Sequence, residues 1–193
     1  MLIIEHRKNT SLELTSVPFE HGVEIDVRSR GDKLILHHDA FCEGEDLQEW
    51  LKSYKHKFLI VNTKEEGLEE KIRGLLTKFD VKAYFFLDLS FPFLIKWANQ
   101  GEKNIAVRFS EHESVETCLA VKNMVKWVWV DCFSKMPLNP QNYRQLKECF
   151  SLCVVSPELL GRGAEEVRQM RMFFKDYPVD AVCTKHPEVW NTK

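Results

Sequence analysis

The sequence lacks the features that would assign it to a membrane or secreted class. Its apolar runs fall well short of the roughly 20 residues that a membrane-spanning helix needs, so no transmembrane segment is expected. Residues 1–10 have neither a basic start nor a long apolar stretch, which argues against a secretory signal peptide. We therefore expect a cytoplasmic location.

Charge of one sign is not in excess either. Lys and Arg together number 27 and Asp and Glu 29, which gives a formal net charge of -2. Binding to a nucleic acid through its phosphates needs an excess of positive charge, so no nucleic-acid partner is expected.

Paired cysteine motifs are also missing. The six cysteines include no CxxC pair and no zinc-finger spacing, so neither a structural zinc site nor a thiol-disulfide motif is indicated. Most of them lie in or beside apolar stretches, where reduced cysteine packs as a small apolar residue.

What remains is typical of one globular domain, which we expect to cover residues 1–193. The composition is 44% hydrophobic and 29% charged. Short runs rich in aliphatic, β-branched and aromatic residues predict eight strands. These runs are residues 2–6, 22–27, 58–62, 84–89, 104–109, 127–131, 152–156 and 180–184. A further run at 33–38 predicts an extension of the second strand or a hairpin with it.

Segments with helical period lie between most of the predicted strands. From Glu66 to Asp80 the apolar residues fall on one face, and Glu and Lys are expected on the other. Asp46 and Asn139 are predicted helix N-caps, the second followed by a proline at the first helical position. Further helices are predicted over about 92–100, 114–124 and 164–176, whereas 11–18 and the tail after Trp190 are too short for a full helix.

Apolar strands that alternate with amphipathic helices predict an α/β protein with a parallel sheet covered by helices. Eight such units favour a single compact (β/α)₈ TIM barrel, without room for a small inserted domain and with the last helix short or missing. An open doubly wound sheet is the alternative.

Two carboxylates of the second strand are the strongest candidates for a site. Glu24 and Asp26 are two residues apart, so their side chains share one face, with Cα atoms roughly 7 Å apart. At the top of an apolar barrel one of them would be protonated unless a cation lies between them. Hard oxygen ligands suit Mg²⁺ or Ca²⁺. A salt bridge to Lys64 or Arg7 is the alternative.

Two histidines flank this pair in the predicted topology. His6 ends the first strand and His38 ends the run after the second, so one imidazole could accept a proton while the other donates one. Arg7 and Lys64 could bind phosphate oxygens. Either histidine could instead be structural. Taken together, these groups favour phosphodiester cleavage. Three other polar residues at strand ends are expected merely to start loops: Asp88, Asp131 and Ser156.

The same residues carry a resemblance to a known family. The stretches EHRKNT at 5–10, GVEIDVRSRGDKLILHHDAF at 22–41 and VNTK at 61–64 resemble the glycerophosphodiester phosphodiesterases, which belong to the phosphatidylinositol phospholipase C-like barrel superfamily. The G-x-E-x-D-V motif, followed by an aliphatic run and His-Asp, is the most specific part of the match.

The resemblance implies a (β/α)₈ barrel that hydrolyses a phosphodiester with a divalent cation, Mg²⁺ or Ca²⁺. It implies that His6 and His38 are the catalytic pair and that Arg7 and Lys64 contact the phosphate. It also implies three metal ligands: Glu24, Asp26 and Asn62.

The chain departs from the family pattern at three places. Asn62 stands where the family usually has Glu, so the third metal ligand would be a neutral amide oxygen and metal binding should be weaker. Lys8-Asn9-Thr10 follows Arg7 directly, so one acidic residue of the family has no counterpart. The segment from His38 to Asn62 is too short for the family's small insertion domain. We therefore expect an open mouth and a bulkier substrate, such as a phosphate-linked saccharide or a lipid head group.

Two other functions stay open at this point. One is a barrel that binds a phosphorylated ligand without turning it over. The other is cleavage without a metal, in which Arg108 or Arg28 takes the place of the ion.

Overall fold

The structure is a computed structural model, and it describes residues 1–191. They form two compact units, one of residues Glu5–Phe93 and the other of Met1–Ile4 together with the chain from Leu94 onward. Strands and helices alternate along the chain. The strands are β1 (Leu2–Glu5), β2 (Gly22–Arg30), β3 (Lys33–Leu36), β4 (Glu45–Asp46), β5 (Phe58–Thr63), β6 (Tyr84–Leu87), β7 (Ala106–Phe109), β8 (Trp127–Val130), β9 (Ser151–Val155) and β10 (Ala181–Thr184). The α-helices are α1 (Ser11–Leu14), α2 (Leu47–Leu51), α3 (Glu69–Lys78), α4 (Phe91–Asn99), α5 (Val115–Ala120), α6 (Pro140–Lys147), α7 (Ala164–Asp176) and α8 (Pro187–Trp190), and Pro157–Leu160 form a 3₁₀ helix.

The unit of residues Glu5–Phe93 contains a sheet with the strand order β4-β3-β2-β5-β6. Strands β2, β5 and β6 are parallel neighbours, whereas β3 pairs antiparallel with both β2 and β4. The sequence predicts that the run at 33–38 either extends the second strand or forms a hairpin with it, and the structure shows the hairpin. In the register of β2 with β5, Asp26 lies opposite Asn62. Val23, Ile25 and Val27 are fully buried, so β2 is covered on the face away from its carboxylates.

The second unit orders its strands β1-β10-β9-β8-β7, and the pairs among β7 to β10 are parallel. Its helices begin where the sequence predicts. The side chain of Asn139 accepts hydrogen bonds from the backbone N–H groups of Gln141 and Asn142, and Pro140 takes the first helical position of α6.

The connections in the unit of residues Glu5–Phe93 are short. Helix α1 has only four residues, as expected for the first crossover. In the described chain, the segment between β3 and β5 holds just β4 and α2, and the Asp46 side chain caps α2 at the N–H groups of Gln48 and Glu49. No inserted domain is therefore present there, as predicted.

Helix α3 differs from its expected orientation at one residue. Glu69 was expected on the exposed face with the other acidic residues, but it lies with Ile72 and Leu76 on the buried face and is 1% exposed. The spacing of three and then four residues places all three on one side of the helix. The prediction is therefore wrong for Glu69.

The six cysteines are free, and four of them are buried. Burial raises the pKa of the thiols of Cys118 and Cys132 to about 12, which keeps them protonated and unreactive. Among residues 1–191, no helix combines the length and the apolar character needed to cross a membrane.

The turn between β3 and β4 depends on a glycine. A Cβ atom at Gly44 would lie 2.4 Å from the carbonyl oxygen of Leu36 in β3. We expect Gly44→Ala to lower the free energy of unfolding by about 1–3 kcal/mol, because backbone atoms would have to move. The matched control is Gly74→Ala in α3, where a Cβ meets nothing within 4 Å and alanine should stabilise by up to about 1 kcal/mol. Urea midpoints at constant m measure both, and equal shifts would contradict the packing argument.

Candidate active site

Three polar side chains share one face of two neighbouring strands. Glu24 and Asp26 come from β2, and Asn62 lies directly opposite Asp26 on β5. Both carboxylates are 1% exposed, and Asn62 is also buried. Residues two apart on a strand point the same way, so the register brings these side chains together on one face of the two strands.

Glu24 is held by neutral donors. One carboxylate oxygen, Oε2, accepts a 2.8 Å hydrogen bond from the backbone N–H of Arg7, and Oε1 accepts a 3.0 Å bond from Nδ2 of Asn62. The Nε2 atom of His6 lies 3.8 Å from Oε2. Burial and the charge of Asp26 raise the pKa of Glu24 to about 7, against the lowering effect of those two hydrogen bonds and of the Lys64 charge. Additional positive charge near Glu24 would therefore stabilise its ionised form.

Asp26 contacts two cationic side chains directly, those of Lys64 and Arg7. Its Oδ1 lies 3.1 Å from Nζ of Lys64, and its Oδ2 lies 3.3 Å from Nε of Arg7. Asn9 forms two bonds to this residue, because its Nδ2 donates to Oδ2 and its Oδ1 accepts from the Asp26 backbone N–H, both at 2.9 Å. The salt bridges that the sequence left as an alternative are thus present at Asp26, while the side chains in contact with Glu24 are those of His6 and Asn62.

The two residues predicted to bind phosphate, Arg7 and Lys64, both contact Asp26. Arg7 itself and Asp88, a contact of Lys64, have left-handed backbone conformations. Arg7 has φ of 57°, and this left-handed conformation turns its N–H toward Glu24 while its guanidinium reaches Asp26. Nζ of Lys64 also lies 3.6 Å from Oδ2 of Asp88, a residue with φ of 65°. Left-handed conformations of non-glycine residues are costly and cluster at functional sites.

The contacts of His38 are with residues next to the carboxylate pair, through its backbone carbonyl and through its ring. The backbone N–H of His37 donates to the carbonyl oxygen of Asp26, and the guanidinium of Arg28 donates to the carbonyl oxygen of His38 at 2.9 and 3.1 Å. The imidazole is 41% exposed, and its Nδ1 lies 2.7 Å from a carboxylate oxygen of Asp39. That hydrogen bond lowers the pKa of Asp39, and the charge of Arg7 contributes to the lowering. A carboxylate partner requires the proton on Nδ1, which leaves Nε2 as the atom available for chemistry.

Comparison with known proteins shows which solved structures have a similar fold. The scan against protein families gives no match, and no curated protein matches the sequence. Solved structures do match. The chain is similar to a glycerophosphodiester phosphodiesterase from Agrobacterium tumefaciens, with a TM-score of 0.76, 13% sequence identity and 99% of each chain covered. It is also similar to a glycerophosphoryl diester phosphodiesterase from Parabacteroides distasonis, with a TM-score of 0.65, 14% identity, and 97% of this chain and 84% of that chain covered.

The chain has the fold of these phosphodiesterases. The predicted α/β fold class is confirmed. A more distant likeness is to a mutant tryptophan synthase alpha-subunit from Pyrococcus furiosus, with a TM-score of 0.56, 12% identity, and 95% of this chain and 85% of that chain covered. Because these identities are low, function has to be argued from the side chains at the site.

The donor set on β2 and β5 fits a divalent cation. Within residues 1–191 no three Asp, Glu, His or Cys side chains are arranged to hold an ion, so a third oxygen must come from elsewhere. Asn62 could supply it, because its Oδ1 atom is buried and accepts no hydrogen bond while its Nδ2 is bonded to Glu24. Two carboxylates and an amide oxygen are hard ligands of the kind that Mg²⁺ and Ca²⁺ prefer.

The two arginines that could replace the ion in cleavage without a metal, Arg28 and Arg108, both have other partners. Arg28 is bonded to Glu65 and to the carbonyl oxygen of His38, and Arg108 forms an ion pair with Asp131. The cations in contact with the carboxylate pair are Arg7 and Lys64 instead.

Sequence reasoning missed two members of the group. Asn9 is not among the site residues that the sequence predicts, yet it makes two hydrogen bonds to Asp26. Asp88 was expected to start a loop, but its carboxylate lies beside Lys64. The available signal was position, since Asn9 follows the end of β1 closely and Asp88 comes directly after β6.

Proposed function

We propose that this chain is a phosphoric diester hydrolase of the glycerophosphodiester phosphodiesterase type. The observation that carries the proposal is the contact group around the buried carboxylate pair. His6 lies beside Glu24, and two cations, Arg7 and Lys64, lie beside Asp26. An imidazole, hard oxygen ligands and phosphate-binding cations are the groups that phosphodiester cleavage requires.

In the proposed reaction His6 is the base and His38 the acid. His6 accepts the proton of the attacking hydroxyl, and the carboxylate of Glu24, 3.8 Å from Nε2, stabilises the positive charge that the imidazole then carries. His38 donates a proton to the leaving oxygen, and Asp39 fixes the tautomer in which Nδ1 is protonated. A hydroxyl of the substrate next to the phosphorus is the proposed nucleophile, with a cyclic phosphate as the first product.

Arg7 and Lys64 bind the phosphate oxygens in this proposal. Both reach the same carboxylate, and each is partly exposed, so a phosphate can approach them. Glu24, Asp26 and Asn62 would hold a divalent cation, Mg²⁺ or Ca²⁺, through two carboxylates and one amide oxygen. When bound, the ion would supply positive charge to a phosphate oxygen as negative charge develops there.

The proposed substrate is bulkier than a glycerol diester, such as a phosphate-linked saccharide or a lipid head group. The support is the short segment between β3 and β5, which holds only β4 and the five-residue α2 among the described residues. Such a segment is too small to cover the site, so the size of the head group is not restricted from that side. We also propose a cytoplasmic location, with which six free cysteines are consistent.

The function is tested with a panel of phosphodiesters in the presence of Mg²⁺ or Ca²⁺. We expect turnover of bis(p-nitrophenyl) phosphate and of glycosylated diesters. Activity confined to small glycerophosphocholine-type diesters would contradict the substrate class but not the reaction. Binding of these diesters without any turnover would contradict the reaction and favour a barrel that only binds phosphorylated ligands.

A further inference from the structure

A second group of unpaired oxygens lies next to Lys64. A cavity of about 160 Å³ opens at the carboxyl ends of β5 and β6 and reaches the first residue of α3. Glu24 and Asp26 are not among the residues that line it. Its polar lining includes Thr63, Lys64, Glu66, Glu69, Asp88 and Ser90.

Glu69 is the most unusual residue of this lining. It is 1% exposed, and neither of its carboxylate oxygens has a hydrogen-bond partner. A buried carboxylate without donors is strongly destabilising as an anion, and the positive end of the α3 dipole offsets only part of that cost. A native protein keeps such a group where a proton or a bound cation compensates it.

Two hydroxyl groups in the same cavity are also unpaired. Oγ1 of Thr63 and Oγ of Ser90 are buried and have no hydrogen-bond partner. Hydroxyl and carboxylate oxygens are both ligands for hard cations. Three side chains with unpaired oxygens, from β5, α3 and the segment after β6, therefore belong to the lining of one small cavity.

The charge of the cavity lining also favours a bound cation. Four carboxylates lie in the lining, those of Glu65, Glu66, Glu69 and Asp88, whereas Lys64 is the cation of the lining; Glu65 is paired with Arg28. Lys64 is moreover shared, because its Nζ lies 3.1 Å from Asp26 as well as 3.6 Å from Asp88. The lining thus has an excess of negative charge.

We infer that this cavity binds a hydrated divalent cation, with Glu69 as the charged ligand and the hydroxyls of Thr63 and Ser90 as neutral ligands. Mg²⁺ fits this role, because it keeps several waters and binds proteins through one or two carboxylates. The site is separate from the proposed ion at Glu24 and Asp26, since Lys64 stands between Asp26 and this cavity. It does not depend on the hydrolase assignment.

The test counts bound Mn²⁺, which reports on Mg²⁺ sites, by the electron paramagnetic resonance signal of the free ion. The background variant is Glu24→Gln, which removes one charged ligand of the first site, and we expect it to bind Mn²⁺. Adding Glu69→Gln to this variant should abolish Mn²⁺ binding or weaken it by about tenfold or more. The control is Glu70→Gln, which makes the same charge change at the next, exposed residue of α3 and should bind Mn²⁺ as its parent does. Thr63→Val removes only a hydroxyl and should also weaken binding.

The outcomes separate this site from the proposed function. The inference would be overturned if neither Glu69→Gln nor Thr63→Val changed the Mn²⁺ binding of the Glu24→Gln variant. No Mn²⁺ binding in Glu24→Gln would overturn it too, because Glu69 would then hold no ion. Binding that requires Glu69 in a protein without phosphodiesterase activity would support the inference while the hydrolase proposal fails.

Discussion

Replacement of His6 with alanine is expected to lower kcat for phosphodiester hydrolysis by about 10²- to 10⁴-fold. His6 is the proposed base, and its Nε2 lies 3.8 Å from the buried carboxylate of Glu24. The imidazole is not among the proposed ion ligands, so the rise in Tm that Mg²⁺ or Ca²⁺ produces should remain in His6→Ala. Steady-state kinetics and thermal unfolding with and without the ion measure the two effects.

Two controls distinguish a lost base from a disturbed site. Free imidazole should restore part of the activity of His6→Ala, because it can occupy the space and accept the proton. His37→Ala removes a histidine whose ring interacts with the backbone of Asp39, and it should keep most of its activity. Full activity in His6→Ala, or loss of the ion-dependent Tm rise in that variant, would contradict the role given to His6.

Replacement of Asp26 with alanine is expected to lower the free energy of unfolding by about 3 kcal/mol when divalent ions are chelated. Asp26 is 1% exposed and is the common partner of Arg7, Lys64 and Asn9. Its removal takes away the carboxylate that both Arg7 and Lys64 contact, and Asp88 and Glu24 compensate only part of that loss. The midpoint of urea unfolding, at unchanged m, measures the loss.

A carboxylate in an exposed ion pair provides the matched control. Glu165 lies 3.3 Å from Arg168, the same separation as Arg7 and Asp26, but both partners are largely exposed. Glu165→Ala should therefore cost no more than about 1 kcal/mol. Losses of similar size in the two variants would show that the contacts of Asp26 contribute no more than a surface pair.

Much of the fold follows from local patterns in the sequence. Helix α7 covers residues Ala164–Asp176, as its apolar period predicts, and the Asn139-Pro140 pair starts α6. Such features depend on neighbours within a few residues, which a single sequence contains in full. The shared face of Glu24 and Asp26 follows in the same way, because side chains alternate along any strand.

The contacts that sequence reasoning missed depend on long-range geometry. Asn9 reaches Asp26 across 17 residues, beside an Arg7 whose left-handed backbone no periodic pattern indicates. The place of Asp88 beside Lys64 depends on the register of β5 with β6. Glu69 did carry a local signal, since it falls three residues before Ile72 and seven before Leu76 on the apolar stripe. Its charge led to the opposite expectation.

We propose that the acidic pair of β2 binds a divalent cation on which phosphodiester cleavage depends. The most direct measurement is hydrolysis of bis(p-nitrophenyl) phosphate by chelator-treated protein, before and after addition of Mg²⁺ or Ca²⁺, in the wild-type chain and in Glu24→Gln. We predict that chelation abolishes wild-type turnover, that the ion restores it, and that Glu24→Gln is inactive in either condition. Turnover that survives chelation, or that the ion restores equally in Glu24→Gln, would contradict the claim.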